Sequence, residues 1–446
     1  MTNSPGNGSV GGQPGAEPVP DVPAGKKLTV RQAAFIGVGA MVGAGIFSLL
    51  GPAGEVAGAA VWISFLIAGI IAGLQGYSFA KFGARYPSAG GLLEYVQRAY
   101  GDGHFTGIIA WLIYATNIVV TAMVAISFGS YASEMFTDGS AGWLKGFAAL
   151  VVIVMMLLNV AGSKAVAHAQ TVVVIVVLGS LSVFAIATLT NIEPGLLAAA
   201  DYPPFSDIVA SVALTFFAFL GFGIITFTAK DLPNPARQLP RAVYLALGIA
   251  TVIYVAIALG VFGTLPVDEV VDAGATAIAV AAEPILGNLG FWMMSITALF
   301  ATAGATNAGL YPATGLADEL TADGQFPPLM GARTGGISNG LLITAVGSIG
   351  LVLAFDLTAV ASIGSAIALV VFTLITAGHM RVRRETGAKA WLLLLGVLSS
   401  GVVLLSFALT TLVDEPGTAI AMVVFVAMSV VIDFLWKQRR ARATLA

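Results

Sequence analysis

Apolar segments long enough to cross a lipid bilayer recur along this chain from Lys26 to the C-terminus, and this repetition constrains the fold more than any other feature. A helix needs about 20 mostly apolar residues to span the hydrocarbon core. Only 10% of the residues are charged and 58% are hydrophobic, whereas a soluble domain carries about 25% charged residues. The composition therefore excludes a soluble globular protein and predicts an all-α integral membrane protein.

Twelve such segments follow one another. They cover approximately residues 31–54, 58–82, 105–133, 143–162, 166–190, 208–230, 241–263, 286–314, 338–355, 358–379, 390–412 and 416–436. We predict twelve transmembrane helices in one polytopic domain, residues 26–446. Residues 1–25 are rich in Gly, Pro, Ser and Asn and hold too few apolar side chains to offset the entropy of ordering, which predicts a disordered cytoplasmic tail.

The basic residues indicate the orientation, because Lys and Arg are retained on the cytoplasmic side of a membrane. If the N-terminus is inside, all but Lys145 of the 20 Lys and Arg residues lie on the cytoplasmic side. Acidic residues concentrate in the opposite loops. Because one extra or missing helix would destroy this pattern, we predict a multi-pass protein of the cytoplasmic membrane with both termini inside.

Glycine clusters interrupt the first and the sixth predicted helix. They comprise Gly37, Gly39, Gly43 and Gly45 in one helix and Gly221 and Gly223 in the other. A single Gly usually only allows close helix packing, but interrupted segments at corresponding positions of two halves are typical of transporters with inverted repeats. We expect five-helix halves at about 31–190 and 208–379, with helices 11 and 12 at about 390–436 outside the repeat.

A broken helix needs a polar ligand, because lipid cannot satisfy the backbone groups that unwinding frees. The N–H groups of the half-helix that begins near Gly45 suit a carboxylate, because they lie at the positive end of the helix dipole. Carbonyl groups freed near Phe217–Phe219 suit an ammonium group. The two interruptions together predict a zwitterionic ligand.

Five segments resemble the amino acid–polyamine–organocation permeases, which share the LeuT-type fold. The segments are GAGIF (Gly43–Phe47), YPSAGGLLEYVQRAYG (Tyr86–Gly101), FFAFLGF (Phe216–Phe222), DLPNPARQLPRA (Asp231–Ala242) and TNAGLYPATGLADELTADGQFP (Thr306–Pro327). Their order matches the family, and the resemblance extends over essentially all of the chain beyond the tail. It implies a 5+5 inverted repeat with discontinuous helices 1 and 6, plus two extra C-terminal helices.

The resemblance also implies a substrate site. The N–H groups of Ala44, Gly45 and Ile46 would face the substrate carboxylate, and Val42 and Gly43 precede them in the same segment. The carbonyls of Phe217, Ala218 and Phe219 would face the amino group, with Phe222 as the aromatic lid. Leu220 stands where many relatives have Gly, so we expect a smaller or reshaped pocket.

Charged side chains are absent from the predicted membrane interior, where they would cost several kcal/mol. A neutral amino acid is therefore the favoured substrate, and the favoured function is a permease that imports it. Asn117 on the third helix is predicted either to contact the substrate or to join helices. Exchange of amines, polyamines or amino acids is the alternative within transport. An inorganic-cation carrier, against which Phe222 argues, and a non-transporting sensor are alternatives of other classes.

Coupling is left open by the sequence. Thr302 and Thr306, one turn apart, are candidates for a sodium site, although such hydroxyls often bond their own helix. The resemblance implies that many proton-coupled relatives carry a Lys on the fifth helix near the position of Val177, and this chain lacks that Lys. Glu94, Asp231 and Arg237 are candidates for a cytoplasmic gate, or they only anchor helix ends.

Several classes of site are not expected. The chain has no Cys and three His, so we expect no metal centre, no cofactor and no catalytic residue. The sequence has no basic nucleic-acid face, and the expected partners are a small substrate and the bilayer. A monomer and a homodimer both fit.

Overall fold

The computed structural model describes residues 28–87, 91–161, 163–409 and 416–445, and the predicted tail at residues 1–25 lies outside this range. The described chain is almost entirely helical. The helices are α1 (Val30–Ala44), α2 (Ile46–Ala57), α3 (Val61–Arg85), α4 (Leu92–Tyr100), α5 (His104–Thr137), α6 (Ala141–Ala161), α7 (Ser163–Leu189), α8 (Phe205–Phe216), α9 (Pro235–Phe262), α10 (Val267–Ala273), α11 (Ala277–Ala322), α12 (Pro328–Gly331), α13 (Asn339–Ala354), α14 (Leu357–Thr386), α15 (Ala390–Leu409) and α16 (Pro416–Leu445). Short 3₁₀ turns lie at Gly58–Ala60, Pro194–Leu197, Ala199–Asp201 and Gly274–Thr276, and a longer 3₁₀ segment runs over Phe217–Asp231.

Nine stretches within the described ranges are long and apolar enough to cross a membrane. Three shorter apolar helices, Val30–Gly43, Val173–Leu189 and Asn339–Ala354, accompany them. One of the nine, Ile46–Arg85, joins the second part of the first predicted span to the second span. The prediction of a multi-pass helical membrane protein is confirmed, whereas twelve crossings and an internal repeat remain predictions.

Two short strands form the exception to the helical architecture. Strand β1 (Arg333–Thr334) pairs antiparallel with β2 (Ile337–Ser338) between α12 and α13. Gly335 and Gly336 form the two-residue turn with φ of 59° and 85°. Positive φ at both positions is what a tight hairpin turn requires, and Gly adopts it without strain.

The first and sixth predicted spans are joined at one end of the fold. Thr29 caps α1, its hydroxyl accepting from the Gln32 backbone N–H while the Gln32 side chain accepts from the Thr29 N–H. The preceding residue, Leu28, donates its N–H to the backbone carbonyl of Asp231 at 2.9 Å. The start of α1 is thereby tied to the end of the 3₁₀ segment.

Helix α16 closes the fold against residues far away in the sequence. The buried Asp433 carboxylate lies 2.6 Å from His104 Nδ1 and 2.9 Å from Lys437 Nζ. Further along, the Trp436 indole N–H donates to the carbonyl of Gly324 at 3.0 Å, and Arg440 donates to the same oxygen at 3.0 Å. The last helix therefore fastens both the start of α5 and the turn after α11.

Candidate functional site

The first interruption of the membrane helices is a single residue. Gly45, with φ −104° and ψ −66°, separates α1 from α2. Its N–H donates to Met41 O at 3.0 Å, and its carbonyl accepts from the N–H groups of Ser48 and Leu49 at 3.1 and 3.2 Å. The N–H groups of Ile46 and Phe47 consequently have no acceptor within α2. Such a first turn attracts an anion.

The second interruption is a change of helix type. The α-helix α8 ends at Phe216, and the next 15 residues continue as the 3₁₀ segment. Runs of 3₁₀ helix beyond 3–4 residues are uncommon, and inside a longer helix they often mark a hinge or strain. Thr226 and Thr228 support the tighter winding, since each hydroxyl donates to the carbonyl three residues earlier, at 2.6 and 2.7 Å.

The two interruptions touch each other through backbone atoms. A Cβ on Gly45 would overlap the Cα and Cβ of Ala218, and a Cβ on Gly221 would lie 2.6 Å from the Ala40 carbonyl carbon and the Met41 nitrogen. On its other side the first interruption is equally close to α11, because a Cβ on Gly43 would overlap the Ala301 carbonyl oxygen. Only glycine allows these approaches.

One predicted ligand carbonyl already has a donor. The buried Tyr254 on α9 donates its hydroxyl to the carbonyl of Ala218 at 3.0 Å. Its ring packs against Phe219 and Phe65, with centroids 5.1 and 5.5 Å away. The sequence reasoning missed Tyr254. The signal was a tyrosine in the middle of an apolar segment, where its hydroxyl needs a partner.

The two aromatic residues of the sixth span occupy different surroundings. Phe217 lies against α14 and α5, since a Cβ on Gly364 would meet its ring at 2.6 Å and Val119 at 2.9 Å. Phe222, the predicted lid, packs with Phe79 at 5.4 Å and Phe372 at 5.5 Å between ring centroids. Both rings are fully buried.

The site is closed to solvent in this conformation. The side chains of Val42, Ile46, Phe217, Ala218 and Phe219 are at most 1% exposed, and Ala44 forms the last residue of α1. A cavity of about 10 Å³ lies between α1, α7 and α11, lined by Val42, Gly43, Val174, Val177 and Ala301 among others. A water molecule needs at least about 10–15 Å³ and polar partners, so this apolar cavity is at the lower limit.

Three predicted polar residues hydrogen-bond to helix backbone. The side-chain amide of Asn117 donates to the carbonyl of Gly309 at 2.8 Å, which links α5 to α11. Thr302 and Thr306 donate to carbonyls four residues earlier in α11, at 2.6 and 2.9 Å. Each threonine oxygen retains lone pairs that could bind a cation, but each hydroxyl hydrogen is already used in a hydrogen bond to its own helix.

The structure does not bring the predicted gate residues together. Glu94 pairs with Arg98 on α4 at 2.7 Å, and this carboxylate raises the pKa of the Arg98 guanidinium. Asp231 and Arg237 are exposed, and neither forms an ion pair within 4 Å in the part of the chain that the structure describes. The contact at this end is instead the backbone bond from Leu28 to Asp231.

Buried hydroxyls near the interruptions are further candidates that the sequence reasoning missed. Among the described residues, those of Ser48, Ser362 and Ser365 have no hydrogen-bond partner. Ser48 lies one turn after Gly45, and Ser362 and Ser365 flank Gly364, which contacts Phe217. Buried polar groups normally find partners, so these hydroxyls are candidates for contact with a bound substrate.

Comparison with known proteins shows which family the chain resembles. The family profile described as "Amino acid permease" matches residues 28–436. An uncharacterized protein of Methanocaldococcus jannaschii is 33% identical over 82% of this chain and 84% of its own length. The inner membrane transport protein YbaT of Escherichia coli is 32% identical over 86% of this chain and 90% of its own length.

A more distant relative carries a more specific name. The methylthioribose transporter of Bacillus subtilis is 24% identical over 68% of this chain and 69% of its own length. The resemblance seen in the five sequence segments is thereby confirmed, and transport is the activity in the names of two of these relatives. The chain belongs to the amino acid permease family.

Proposed function

We propose that this permease carries a neutral amino acid across the cytoplasmic membrane by alternating access, with the substrate held between the first and sixth spans. The observation that carries the proposal is the contact between Gly45 and Ala218. This contact brings the start of α2 next to the start of the 3₁₀ segment, which supports a site that uses N–H groups of the one and carbonyls of the other. A carboxylate and an ammonium group on one carbon atom suit such a pair of sites.

The substrate is proposed to be neutral because the side chains that meet the interruptions are uncharged. Gly45 meets Ala218 and Gly37 meets Ile225, both on the 3₁₀ segment, and Phe217 meets Gly364 on α14. A cationic side chain would require a buried carboxylate and an anionic one a buried Arg. Two vacuolar relatives in Arabidopsis thaliana are named cationic amino acid transporters, so this preference would separate the present chain from them.

The proposed membrane arrangement has twelve crossings, a 5+5 inverted repeat, discontinuous helices 1 and 6, and both termini in the cytoplasm. Each predicted span overlaps a described helix, and the shortness of α1 follows from the interruption at Gly45. The distribution of Lys and Arg supports the orientation. Labelling of single cysteines from either side of the membrane tests it directly, because the chain has no Cys of its own.

Two accessory sites are proposed with the transport cycle. Thr302 and Thr306 form the candidate sodium site, because their hydroxyl oxygens lie one turn apart beside the first interruption. Glu94, Asp231 and Arg237 form the candidate cytoplasmic gate, which would need to rearrange from the closed conformation to make ion pairs. The proposed function depends on the substrate site and does not require either of these two sites.

The test is uptake by purified protein in liposomes, with labelled L-alanine, L-serine, L-threonine, L-valine and L-leucine. Each amino acid is offered with a sodium gradient, a proton gradient, or unlabelled amino acid inside. We expect saturable flux of at least one of them, and the required gradient identifies the coupling. Binding in a thermal-shift assay without flux would favour a sensor and contradict the proposal.

A further inference from the structure

The hydroxyl of Tyr254 and the carbonyl of Ala218 form a buried hydrogen bond at the point where the two interrupted helices meet. Ala218 touches Gly45 with its Cα and Cβ, while its oxygen accepts from α9 at 3.0 Å. Both Tyr254 and Ala218 have no exposed surface. Ala218 of the 3₁₀ segment therefore contacts the first span and also accepts a hydrogen bond from α9.

A carbonyl at this depth needs a donor whether or not a substrate is present. Lipid offers no hydrogen bonds, and an unsatisfied buried carbonyl is costly. A carbonyl oxygen has two lone pairs, and the 3₁₀ pattern supplies each carbonyl with at most one N–H, from three residues further on. The Ala218 oxygen can therefore accept one further donor, and in the closed conformation that donor is the Tyr254 hydroxyl.

We propose that Tyr254 is a positioning residue that takes the place of the substrate's ammonium group in the empty carrier. When a zwitterion binds, its ammonium donates to the Ala218 carbonyl and the Tyr254 hydroxyl gives up that bond. When the substrate leaves, Tyr254 restores the bond and the carrier can close empty. This inference rests on the proposed transport of an amino acid through this site.

The exchange of donors predicts a difference between two modes of transport. Net uptake requires the carrier to reorient without substrate once per cycle, whereas exchange between labelled external and unlabelled internal substrate never does. Tyr254→Phe keeps the ring between Phe65 and Phe219 and removes only the donor. We expect it to slow net uptake about tenfold and to leave exchange within about twofold of wild type.

The matched control is Tyr114→Phe. Tyr114 is also a buried tyrosine that donates to a backbone carbonyl, that of Gly340 at 2.7 Å, but it joins α5 to α13. Loss of the Tyr114 hydroxyl should change net uptake and exchange by the same factor. Both variants and the wild type are compared in the same liposomes, with the amino acid from the five-member panel that the wild type exchanges fastest.

The outcomes separate the inference from the proposed function. If the wild type moves no amino acid in either mode, the proposed function fails and this inference fails with it. If the wild type is active and Tyr254→Phe changes both modes equally, or neither, the function stands and the role of Tyr254 is overturned.

A second substitution tests the donor itself. Tyr254→4-aminophenylalanine retains an N–H donor at the same ring position, and we expect it to keep both modes within about twofold of wild type. This variant remains decisive if Tyr254→Phe does not reach the membrane. Loss of net uptake with intact exchange in a variant that keeps the donor would contradict the inference.

Discussion

The first and sixth spans are both interrupted, but in opposite ways. The first span breaks at the single residue Gly45 and continues as α-helix on both sides. The sixth span changes to 3₁₀ geometry at Phe217 and does not return to α-helix before it ends at Asp231. The first interruption is a single residue between two α-helices. The second is a half-helix that is wound entirely as a 3₁₀ helix.

The difference suits the two spans to different tasks in the proposed transport cycle. A joint such as Gly45 fixes the first turn of α2, so the N–H groups proposed to bind the substrate carboxylate would keep a constant arrangement. A 3₁₀ helix rises about 2.0 Å per residue and an α-helix about 1.5 Å. Conversion of the 15-residue segment would therefore shorten it by about 7 Å. The first span is suited to binding, and the sixth to movement.

The largest expected effect tests the rigid joint. Gly45→Ala adds a Cβ that overlaps the Cα of Ala218, and because this atom belongs to the backbone, no side-chain rotation relieves the overlap. We expect loss of uptake in the liposome assay. The control is Gly73→Ala on α3, where no atom lies within 4 Å of the added Cβ. If Gly45→Ala takes up substrate as fast as this control does, Gly45 is not part of the substrate site.

The next effect tests the contact from the side of the sixth span. Gly221→Ala places a Cβ 2.6 Å from backbone atoms of Ala40 and Met41, so we expect at least a tenfold fall in uptake. Two residues further on, a Cβ on Gly223 would have its nearest neighbour at 3.7 Å. Gly223→Ala should therefore retain uptake. Equal losses in the two variants would show that any added side chain disturbs the 3₁₀ segment.

A smaller effect tests whether Phe222 acts as a lid or only as packing. Phe222→Ala removes a buried ring and should destabilise the protein by ~3–5 kcal/mol. Phe79→Ala removes a ring from the same cluster but from α3. We expect similar falls in Tm, with a severalfold larger loss of uptake for Phe222→Ala. If the uptake losses match as the Tm values do, Phe222 is a packing residue.

The smallest effect concerns the side of the first interruption that faces α11. Thr302→Val removes a hydroxyl whose hydrogen already goes to its own helix, so uptake without a sodium gradient should stay within about twofold of wild type. Thr302→Ser, which keeps the hydroxyl, is the control. If Thr302→Val abolishes stimulation by sodium and Thr302→Ser does not, the threonine oxygen is a cation ligand and the helices meet around an ion.

Hydropathy and glycine positions predicted the helical membrane fold and pointed to Gly45 and to the segment from Phe217 onward. These features are local, because each depends on a short stretch of sequence. The 3₁₀ winding could not be predicted in this way, because composition does not distinguish a hydrogen bond three residues back from one four residues back. What decides between the two kinds of winding is the packing of the 3₁₀ segment against α1, α3 and α9.

Side-chain partners were the least predictable part of the site. The bond from Tyr254 to Ala218 spans 36 residues and depends on where α9 passes the 3₁₀ segment. Asn117 had two proposed roles, and its bond to Gly309 follows from the approach of α5 to α11. The candidate gate residues carry charges of opposite sign. Asp231 and Arg237 are exposed, however, and exposed ion pairs gain little free energy over hydration of the separate charges.

The attachment of α16 to the start of α5 has a consequence for biosynthesis. His104 and Asp433 are 329 positions apart, so at about 5–20 residues per second a ribosome needs roughly 16–66 s to make the second after the first. During that time His104 lacks its native partner, and the carbonyl of Gly324, once made, waits for Trp436, which follows 112 positions later. The start of α5 therefore completes its docking only after α16 has been made, and a nascent chain stalled before α16 should be a substrate for membrane quality control.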